Sequence, residues 1–502
     1  MNVLLINSNL SQCGRSRYPI TPAPAGLILI AGVLRSHGHK VQIRQIQKHV
    51  LPQDEEKLPL LHEELKEIIS EFPADIIGIS ARNIGAARKA SNPFRLVEYY
   101  SVYYDARIIR AFRSFINIPI VIGGAAFSIE PGLYMKYAQP DYGIIGEGDY
   151  SMLSLVEKLG SDESLEGIPG LVKNYSETKT KKNNYSIVSQ LSNIGAGACD
   201  VVTDFRMHYY EPGGFVPIQT KRGCALNCIY CTTPFMEGKK YRFRPISHII
   251  EEIKSYQDYW DVKYFFFVDA TFNHPLEWAM EICNAILEAG LKIKWFSEIT
   301  PLSITDELCK LMAKSGCLAL TLTPDSCSDT VLKTYDKPFG MGEVITAIKL
   351  LKKYNLLFDT DIIIGGPGET MDTFSATMSF CSENLHKTPV SFYDGMIINS
   401  NTPAYDIAVK EGVVDGSKIY EDVVLKNDFK EMKKYEYLFP HLLHGRKEFI
   451  KRIKKINLGK RWRITSLDFA PDPKTGEFAA NSNILLDSKI RPWAGWTRKG
   501  DS

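Results

Sequence analysis

The chain has 502 residues, longer than one ordinary domain and enough for roughly two to four. Its 44% hydrophobic content can build real cores, while 60 Lys and Arg against 58 Asp and Glu leave a formal net charge of only +2. That balance gives no global argument for nucleic acid or a membrane surface as a partner. No stretch reaches the roughly 18 uninterrupted apolar residues of a membrane span. The opening Met1-Asn2-Val3-Leu4-Leu5-Ile6-Asn7 is too short and lacks the basic flank of a signal peptide, so a cytoplasmic location is expected.

The first 150 residues alternate strand and helix signals. Asn2 to Asn7 reads as a buried strand. A helix follows from about Pro24, with Gly26, Leu27, Ile30 and Leu34 on its pattern and Gly38 as its stop. Val41 to Ile43 and Ile76 to Ser80 read as further strands. Ile118 to Ile122 runs into Gly123-Gly124, and Tyr142 to Ile145 runs into Gly146-Glu147-Gly148-Asp149. Short apolar strands between helices predict a parallel sheet covered on both faces, with a ligand crevice at its carboxyl edge. From Ser161 to Tyr210 the pattern weakens, and Ser176 to Asn184 is polar and Lys-rich, which predicts a connector with one hairpin at most.

Alternation resumes near Phe215. Strands are predicted at Val216 to Thr220, Tyr264 to Val268, Lys292 to Phe296, Leu318 to Leu322, Asp359 to Ile364 and Val390 to Met396. Amphipathic helices such as Ile246 to Tyr259 and Trp278 to Ala289 lie between several of them. Repeated units of this size predict an open or closed α/β barrel. After Asn401 the composition turns to Lys, Arg, Tyr and Trp.

The ten cysteines are scattered except for one group, Cys224, Cys228 and Cys231, in Lys221-Arg222-Gly223-Cys224-Ala225-Leu226-Asn227-Cys228-Ile229-Tyr230-Cys231. Without an export signal, such a group reads as a metal site rather than a disulfide frame. One loop can wrap three thiolates around a four-iron cube and leave one iron vacant to bind substrate. Zinc takes four ligands, commonly as CxxC pairs, and the nearest other cysteines, Cys199 and Cys283, do not make such a pair.

CxxxCxΦC with aromatic Tyr230 before the last cysteine resembles the radical S-adenosylmethionine superfamily. The resemblance covers most of Phe215 to Met396. It implies a [4Fe–4S] cluster whose open iron chelates the amino and carboxylate groups of S-adenosylmethionine, and reductive cleavage to a 5′-deoxyadenosyl radical. Phe266-Phe267-Val268-Asp269-Ala270-Thr271-Phe272-Asn273 resembles the strand end that seats the methionyl group. Glu298 falls where such barrels place a polar residue near substrate or ribose. Thr323-Pro324-Asp325-Ser326-Cys327-Ser328 resembles the Glu-Ser-Gly-Ser segment, with Asp325 for the Glu and Cys327 for the Gly. Ile364-Gly365-Gly366-Pro367-Gly368-Glu369-Thr370 resembles the glycine turn near the adenine. Glycine lets backbone approach a ligand closely.

Residues 2–150 resemble the cobalamin-binding domain placed before many radical enzymes. Asn7, Ser80, Gly123, Gly124, Gly146, Glu147 and Gly148 stand at the matching strand ends. The Asp-x-His-x-x-Gly loop that ligates cobalt from below is missing; Ser8-Asn9-Leu10-Ser11-Gln12 stands in its place. The resemblance then implies no histidine below the cobalt; water, another side chain (Arg82 and Asn83 are candidates) or nothing would meet that face. His37 and His39 read as helix C-terminal caps.

In the tail, Arg446-Lys447, Lys451-Arg452, Lys454-Lys455 and Lys460-Arg461-Trp462-Arg463 form a basic stretch, read as a solvated helix face. Tyr435, Tyr437, His441, His444, Trp493 and Trp496 are candidates for closing the barrel mouth.

The expected fold is α/β: a doubly wound, Rossmann-like cobalamin-binding domain over 1–160, a linker over 161–210, a partial (β/α) TIM-like radical barrel over 211–400 and a small α-rich C-terminal cap over 401–502. The resemblance implies a methyltransferase of an unactivated carbon in a small molecule or natural product. The 5′-deoxyadenosyl radical would take a hydrogen, and the substrate radical would capture methyl from methylcobalamin. Its partners would be the small-molecule substrate and a reductant such as flavodoxin or ferredoxin, with no membrane span and no nucleic acid. Rearrangement, ring contraction or cyclisation with the same cofactors is the main rival; a non-enzymatic cobalamin or iron–sulfur sensor is another. Methylthiotransferases carry three further N-terminal cysteines, where only Cys13 and Cys199 precede the motif here.

Overall fold

The computed structural model describes residues 1–8, 24–46, 55–82, 101–180, 185–192, 194, 198–203, 215–385, 388, 390–394, 396, 399, 401–412 and 462–464. The chain divides into two units. Among the described residues, the first takes those up to Cys224 together with Phe235–Val262, and the second takes Ala225–Pro234 and those from Lys263 on.

In the first unit, β1 (Asn2–Asn7), β2 (Lys40–Gln45), β3 (Ile76–Ser80), β4 (Ile120–Gly123) and β5 (Tyr142–Ile144) form a parallel sheet in the order β2-β1-β3-β4-β5. Five of the six residues of β1 and four of the five of β3 are buried. Such strands are apolar throughout because helices cover both faces. The helices are α1 (Ala25–Ser36), α2 (Leu58–Glu71), α3 (Ser101–Arg113), α4 (Ala125–Ile129), α5 (Pro131–Tyr137) and α6 (Asp149–Gly160). The strand order reverses between β1 and β3, which opens a crevice beyond their carboxyl ends.

His37 behaves as a helix-end residue: it follows α1 and its Nδ1 meets the Val33 carbonyl at 2.9 Å, whereas His39 Nδ1 lies 3.3 Å from the chain's amino group. In the region read as a connector, β6 (Leu171–Val172) is an antiparallel edge strand on β5. Three strands follow: β7 (Val216–Ile218), and β8 (Lys221–Arg222) paired antiparallel with β9 (Arg242–Phe243).

Asp105, on α3, is fully buried, and burial pushes its carboxyl up to about 7 against the pull of the Ser8 hydroxyl. Its unfolded value is near 3.9. The folded state therefore holds a proton that the unfolded state releases. Stability from this group is full below about pH 4 and is lost as pH rises through about 7. Relative to Asp105→Asn, the native protein should lose up to about 1.4 kcal/mol per pH unit across that window and level off above it. Denaturant midpoints of both proteins from pH 5 to 8 check this; parallel curves would contradict it.

The second unit holds β10 (Tyr264–Phe267), β11 (Lys294–Ile299), β12 (Cys317–Asp325), β13 (Leu357–Ile364), β14 (Val390–Asp394) and β15 (Trp462–Ile464). These are parallel and lie side by side in chain order, as in a (β/α) barrel. Between them run α7 (Leu276–Glu288), α8 (Asp306–Lys314), α9 (Asp329–Thr334), α10 (Met341–Lys353) and α11 (Met371–Asn384). Side chains alternate across the sheet. Phe265, Phe267, Trp295, Ile299, Leu320, Leu322, Phe358 and Ile362 are buried on the helix-covered face. The opposite face carries Phe296, Glu298, Thr321 and Asp359. β15 lies within the tail read as a helical basic stretch, so residues 462–464 are strand. Asn83, Cys13, the remaining basic residues and Tyr435, Tyr437, His441, His444, Trp493 and Trp496 fall outside the described residues.

Candidate functional site

The crevice of the first unit encloses about 240 Å3. Its floor is the carboxyl edge of the sheet, with Ser80, Gly123, Gly124, Gly146, Glu147 and Gly148 all lining it. Asn7 pairs in register with Ser80 but does not reach the lining, and Arg82 is exposed just past β3. Gly124 has φ +95° and a Cβ there would lie 2.6 Å from the Ala81 carbonyl oxygen; Gly146 has φ +93° and would meet the Ser186 carbonyl at 2.4 Å. Both positions demand glycine. Gly26, at the start of α1, also lines the crevice, yet a Cβ there would meet nothing within 4 Å. A wide floor of glycine backbone beside the apolar Leu5, Leu27, Ile30 and Met152 fits a flat macrocycle, and among the described residues no histidine lines it.

One wall was not foreseen. Gln219, Arg222, Met236 and Glu237 line the crevice, although they lie in sequence around the cysteine loop. Arg222 donates to both oxygens of Asp149 at 2.5 and 3.0 Å and to Gln219 Oε1 at 2.8 Å. Arg242 donates to both oxygens of Glu147 at 2.7 and 2.9 Å. Burial would lower the Arg222 pKa, but Asp149 and Glu147 outweigh it and hold the guanidinium charged. Sequence spacing carries no signal for these long-range pairs.

The cysteine loop has irregular backbone. Cys224 and Cys228 are buried and Cys231 half-buried. Gly223 precedes them with φ +88°, where a Cβ would meet the Lys240 carbonyl at 2.2 Å. Downstream, the Cys231 N–H donates to the Cys228 carbonyl at 3.0 Å and the Ile229 N–H to the Tyr335 carbonyl at 3.2 Å. Among the described residues, no three His, Cys, Asp or Glu side chains are placed to hold a single ion. A four-iron cube is wider than one ion, so three soft thiolates on an irregular loop suit it better than zinc. Burial pushes the Cys228 thiol up, while Lys337 pulls it the other way. Cys199, Cys283 and Cys309 are core thiols pushed up by burial to about 11, about 12 and about 12.

Two residues singled out in the sequence meet directly. The Tyr230 hydroxyl donates to Asp325 Oδ2, and Lys337, which the sequence did not flag, bonds that same oxygen and lies 2.9 Å from the Tyr230 hydroxyl. Asp325 has φ +66° at a bulge in β12. Ser326 beside it is fully buried. Cys327 lies 3.9 Å, sulfur to sulfur, from Cys381.

Glu298, Thr321 and Asp359 stand in register across β11, β12 and β13. Glu298 is accessible to water yet crowded by protein, as a cavity-lining group is; burial first, then the Asp325 charge, raises its pKa. Burial pushes Asp359 up to about 7 against a hydrogen bond from Thr321. Asp269 is buried past the end of β10. In the same segment, Asn273 bonds the Thr300 and Leu302 carbonyls at 2.8 and 2.6 Å and so fixes the loop to β11. The glycine turn packs on protein: a Cβ on Gly366 would lie 2.1 Å from the Tyr335 hydroxyl, and one on Gly368 2.6 Å from Thr334 Oγ1. Glu369 closes that turn on the Gly365 N–H and is pushed up to about 7 by burial.

Comparison with known proteins adds the following. Residues 19–156 match the B12 binding domain and residues 218–381 match the Radical SAM superfamily. An uncharacterised methyltransferase of Pyrococcus horikoshii is 26% identical over 388 residues, 76% of this chain and 78% of its own. The cytidylyl-2-hydroxyethylphosphonate methyltransferase of Streptomyces wedmorensis is 23% identical, over 82% of each chain. Among solved structures, the radical S-adenosylmethionine methyltransferase TsrM of Kitasatospora setae, with cobalamin and a [4Fe–4S] cluster bound, has a TM-score of 0.69. It shows 21% identity and covers 82% of this chain and 75% of its own. That likeness establishes the shared fold.

Proposed function

We propose that this chain, a radical S-adenosylmethionine enzyme with a B12 binding domain ahead of its Radical SAM domain, methylates an unactivated carbon of a small-molecule or natural-product substrate. The observation that carries the reading is the presence, in one chain, of a glycine-floored crevice at a sheet switch point and a three-cysteine loop before a parallel barrel sheet. Methyl transfer is favoured over rearrangement because both relatives described above, matched over three quarters or more of either chain, are methyltransferases.

The cofactors are a [4Fe–4S] cluster, S-adenosylmethionine and cobalamin. Bound, they supply reductive cleavage to a hydrogen-abstracting radical and a methyl group for transfer; the protein supplies binding, orientation and dryness. Cys224, Cys228 and Cys231 would ligate three irons. Lys337 and Tyr230 hold the Asp325 carboxylate in one orientation, ready to receive a donor from the nucleoside. Asp269, Glu298 and Ser326 would complete the polar contacts, with Gly366 and Gly368 shaping the turn beside them. Ser80, Gly123, Gly124, Gly146, Glu147 and Gly148 would cradle the corrin by backbone. Asn7 and Arg82 flank that cradle and would act at its edge. Burial of Cys224 and Cys228 would keep water away from the reacting groups.

Among the described residues no helix is long and apolar enough to cross a membrane. The reading places the enzyme in the cytoplasm, where free cysteines stay reduced, with flavodoxin or ferredoxin as electron donor. Anaerobic enzyme with S-adenosylmethionine, hydroxocobalamin, a reductant and a panel of candidate substrates should yield both 5′-deoxyadenosine and S-adenosylhomocysteine, measured by chromatography. Deoxyadenosine alone would replace methylation with rearrangement or cyclisation; neither product would leave a binding protein.

A further inference from the structure

Three charged residues that line the crevice, Glu147, Asp149 and Arg222, share a buried ion network with Arg242, which does not line it. Glu147 lies in the loop before α6 and Asp149 is the first residue of that helix, and both line the crevice. Arg222 grips Asp149 with two bonds and lies 3.4 Å from Glu147, which Arg242 holds in turn. All four side chains are nearly withdrawn from water, between 2% and 10% exposed. Two guanidinium groups balance two carboxylates, so removing one partner leaves a buried charge uncompensated.

Arg222 is two residues from Cys224, and the backbone between them is pinned. The Gly223 N–H donates to the Glu237 carboxylate at 3.0 Å, and the Cys224 N–H to the Gly238 carbonyl at 3.1 Å. Arg242 also donates to the Glu237 carbonyl, which ties that segment into the same network. A change in the crevice loop cannot be absorbed locally, because close-packed, fully bonded groups shift together.

We infer that the ion network Asp149–Arg222–Glu147–Arg242 is a positioning device that couples occupancy of the crevice to the placement of Cys224, so that cobalamin and the cluster bind cooperatively. This rests on the functional reading above, in which the crevice takes cobalamin and Cys224 is a cluster ligand. Arg222 is a positioning residue: it acts through Asp149 on one side and through the backbone of Cys224 on the other.

The test measures hydroxocobalamin affinity, by visible absorbance, for cluster-loaded and cluster-free protein. Native enzyme should bind hydroxocobalamin about 5-fold or more tightly when the cluster is present, within the usual range of coupling between sites. In Arg222→Met the two affinities should become equal while iron and sulfide content stay at native levels. If Arg222→Met fails to fold, Asp149→Asn with Arg222→Met removes both charges together and should fold with the coupling lost. Equal coupling in native and variant proteins would overturn the inference alone. Native enzyme that binds hydroxocobalamin without regard to the cluster would do the same. Native enzyme that binds no hydroxocobalamin would overturn the functional reading with it.

Discussion

Cys228→Ala is expected to lose the iron–sulfur cluster and to form no detectable 5′-deoxyadenosine. Three thiolates for four irons leave no spare ligand, and alanine offers no donor. Cys228 is only 8% exposed, so water cannot readily take the vacant place. The loop would keep its backbone bonds from Cys231 and Ile229, which do not need the sulfur. The fold should therefore survive while the chemistry disappears. Cys283→Ala is the control. That thiol lies in the core on α7, is held protonated by burial, and should be replaceable with native iron content retained. Iron and sulfide assays, the electron paramagnetic resonance spectrum and deoxyadenosine chromatography read both variants. Deoxyadenosine formation persisting in Cys228→Ala would end the reading of this chain as a radical enzyme.

Gly26→Leu is expected to weaken hydroxocobalamin binding by at least about 100-fold, or about 2.7 kcal/mol, and to abolish S-adenosylhomocysteine formation while deoxyadenosine is still made. Gly26 is a crevice glycine that the backbone does not require. A Cβ there clashes with nothing within 4 Å, whereas one on Gly124 or Gly146 would strike a carbonyl oxygen. Leucine also favours helix over glycine by up to about 1 kcal/mol, so α1 should be no less stable. The new side chain would occupy space in the crevice that the proposed corrin needs, and overpacking is costly where the surroundings cannot yield. The three cysteines are untouched. Native-like hydroxocobalamin affinity in Gly26→Leu would show that the corrin binds elsewhere.

Much of this protein could be read from local pattern. The apolar strands at Asn2–Asn7, Ile76–Ser80 and Leu357–Ile364 announce themselves because a strand buried on both faces, or on one face with alternation, leaves a direct trace in residue order. The three cysteines are legible for a similar reason: thiols carried on one loop, as proposed for the cluster, are close in sequence. The glycines at 124 and 146 mark strand ends because their positive φ and a carbonyl oxygen close to any added Cβ tolerate little else.

Contacts between distant segments left no such trace. Lys337 joins Tyr230 and Asp325 across about a hundred residues of chain, and nothing in the Tyr335-Asp336-Lys337 stretch sets it apart from an exposed turn. Likewise Arg222 reads as one more basic residue before a motif until the fold carries Asp149 to it. The glycines of the 366–368 turn, which suggest room for a ligand, are spent on Tyr335 and Thr334. The sequence by itself determined the order of strands and helices, the cluster-type cysteine loop and the sharp-turn glycines, all of which follow from short-range sterics and periodicity. Only the tertiary structure decided which charges are buried together, which glycines face open space and which carboxylates have their protonation shifted by burial, because those depend on chain closure across scores of residues and on the water that closure excludes.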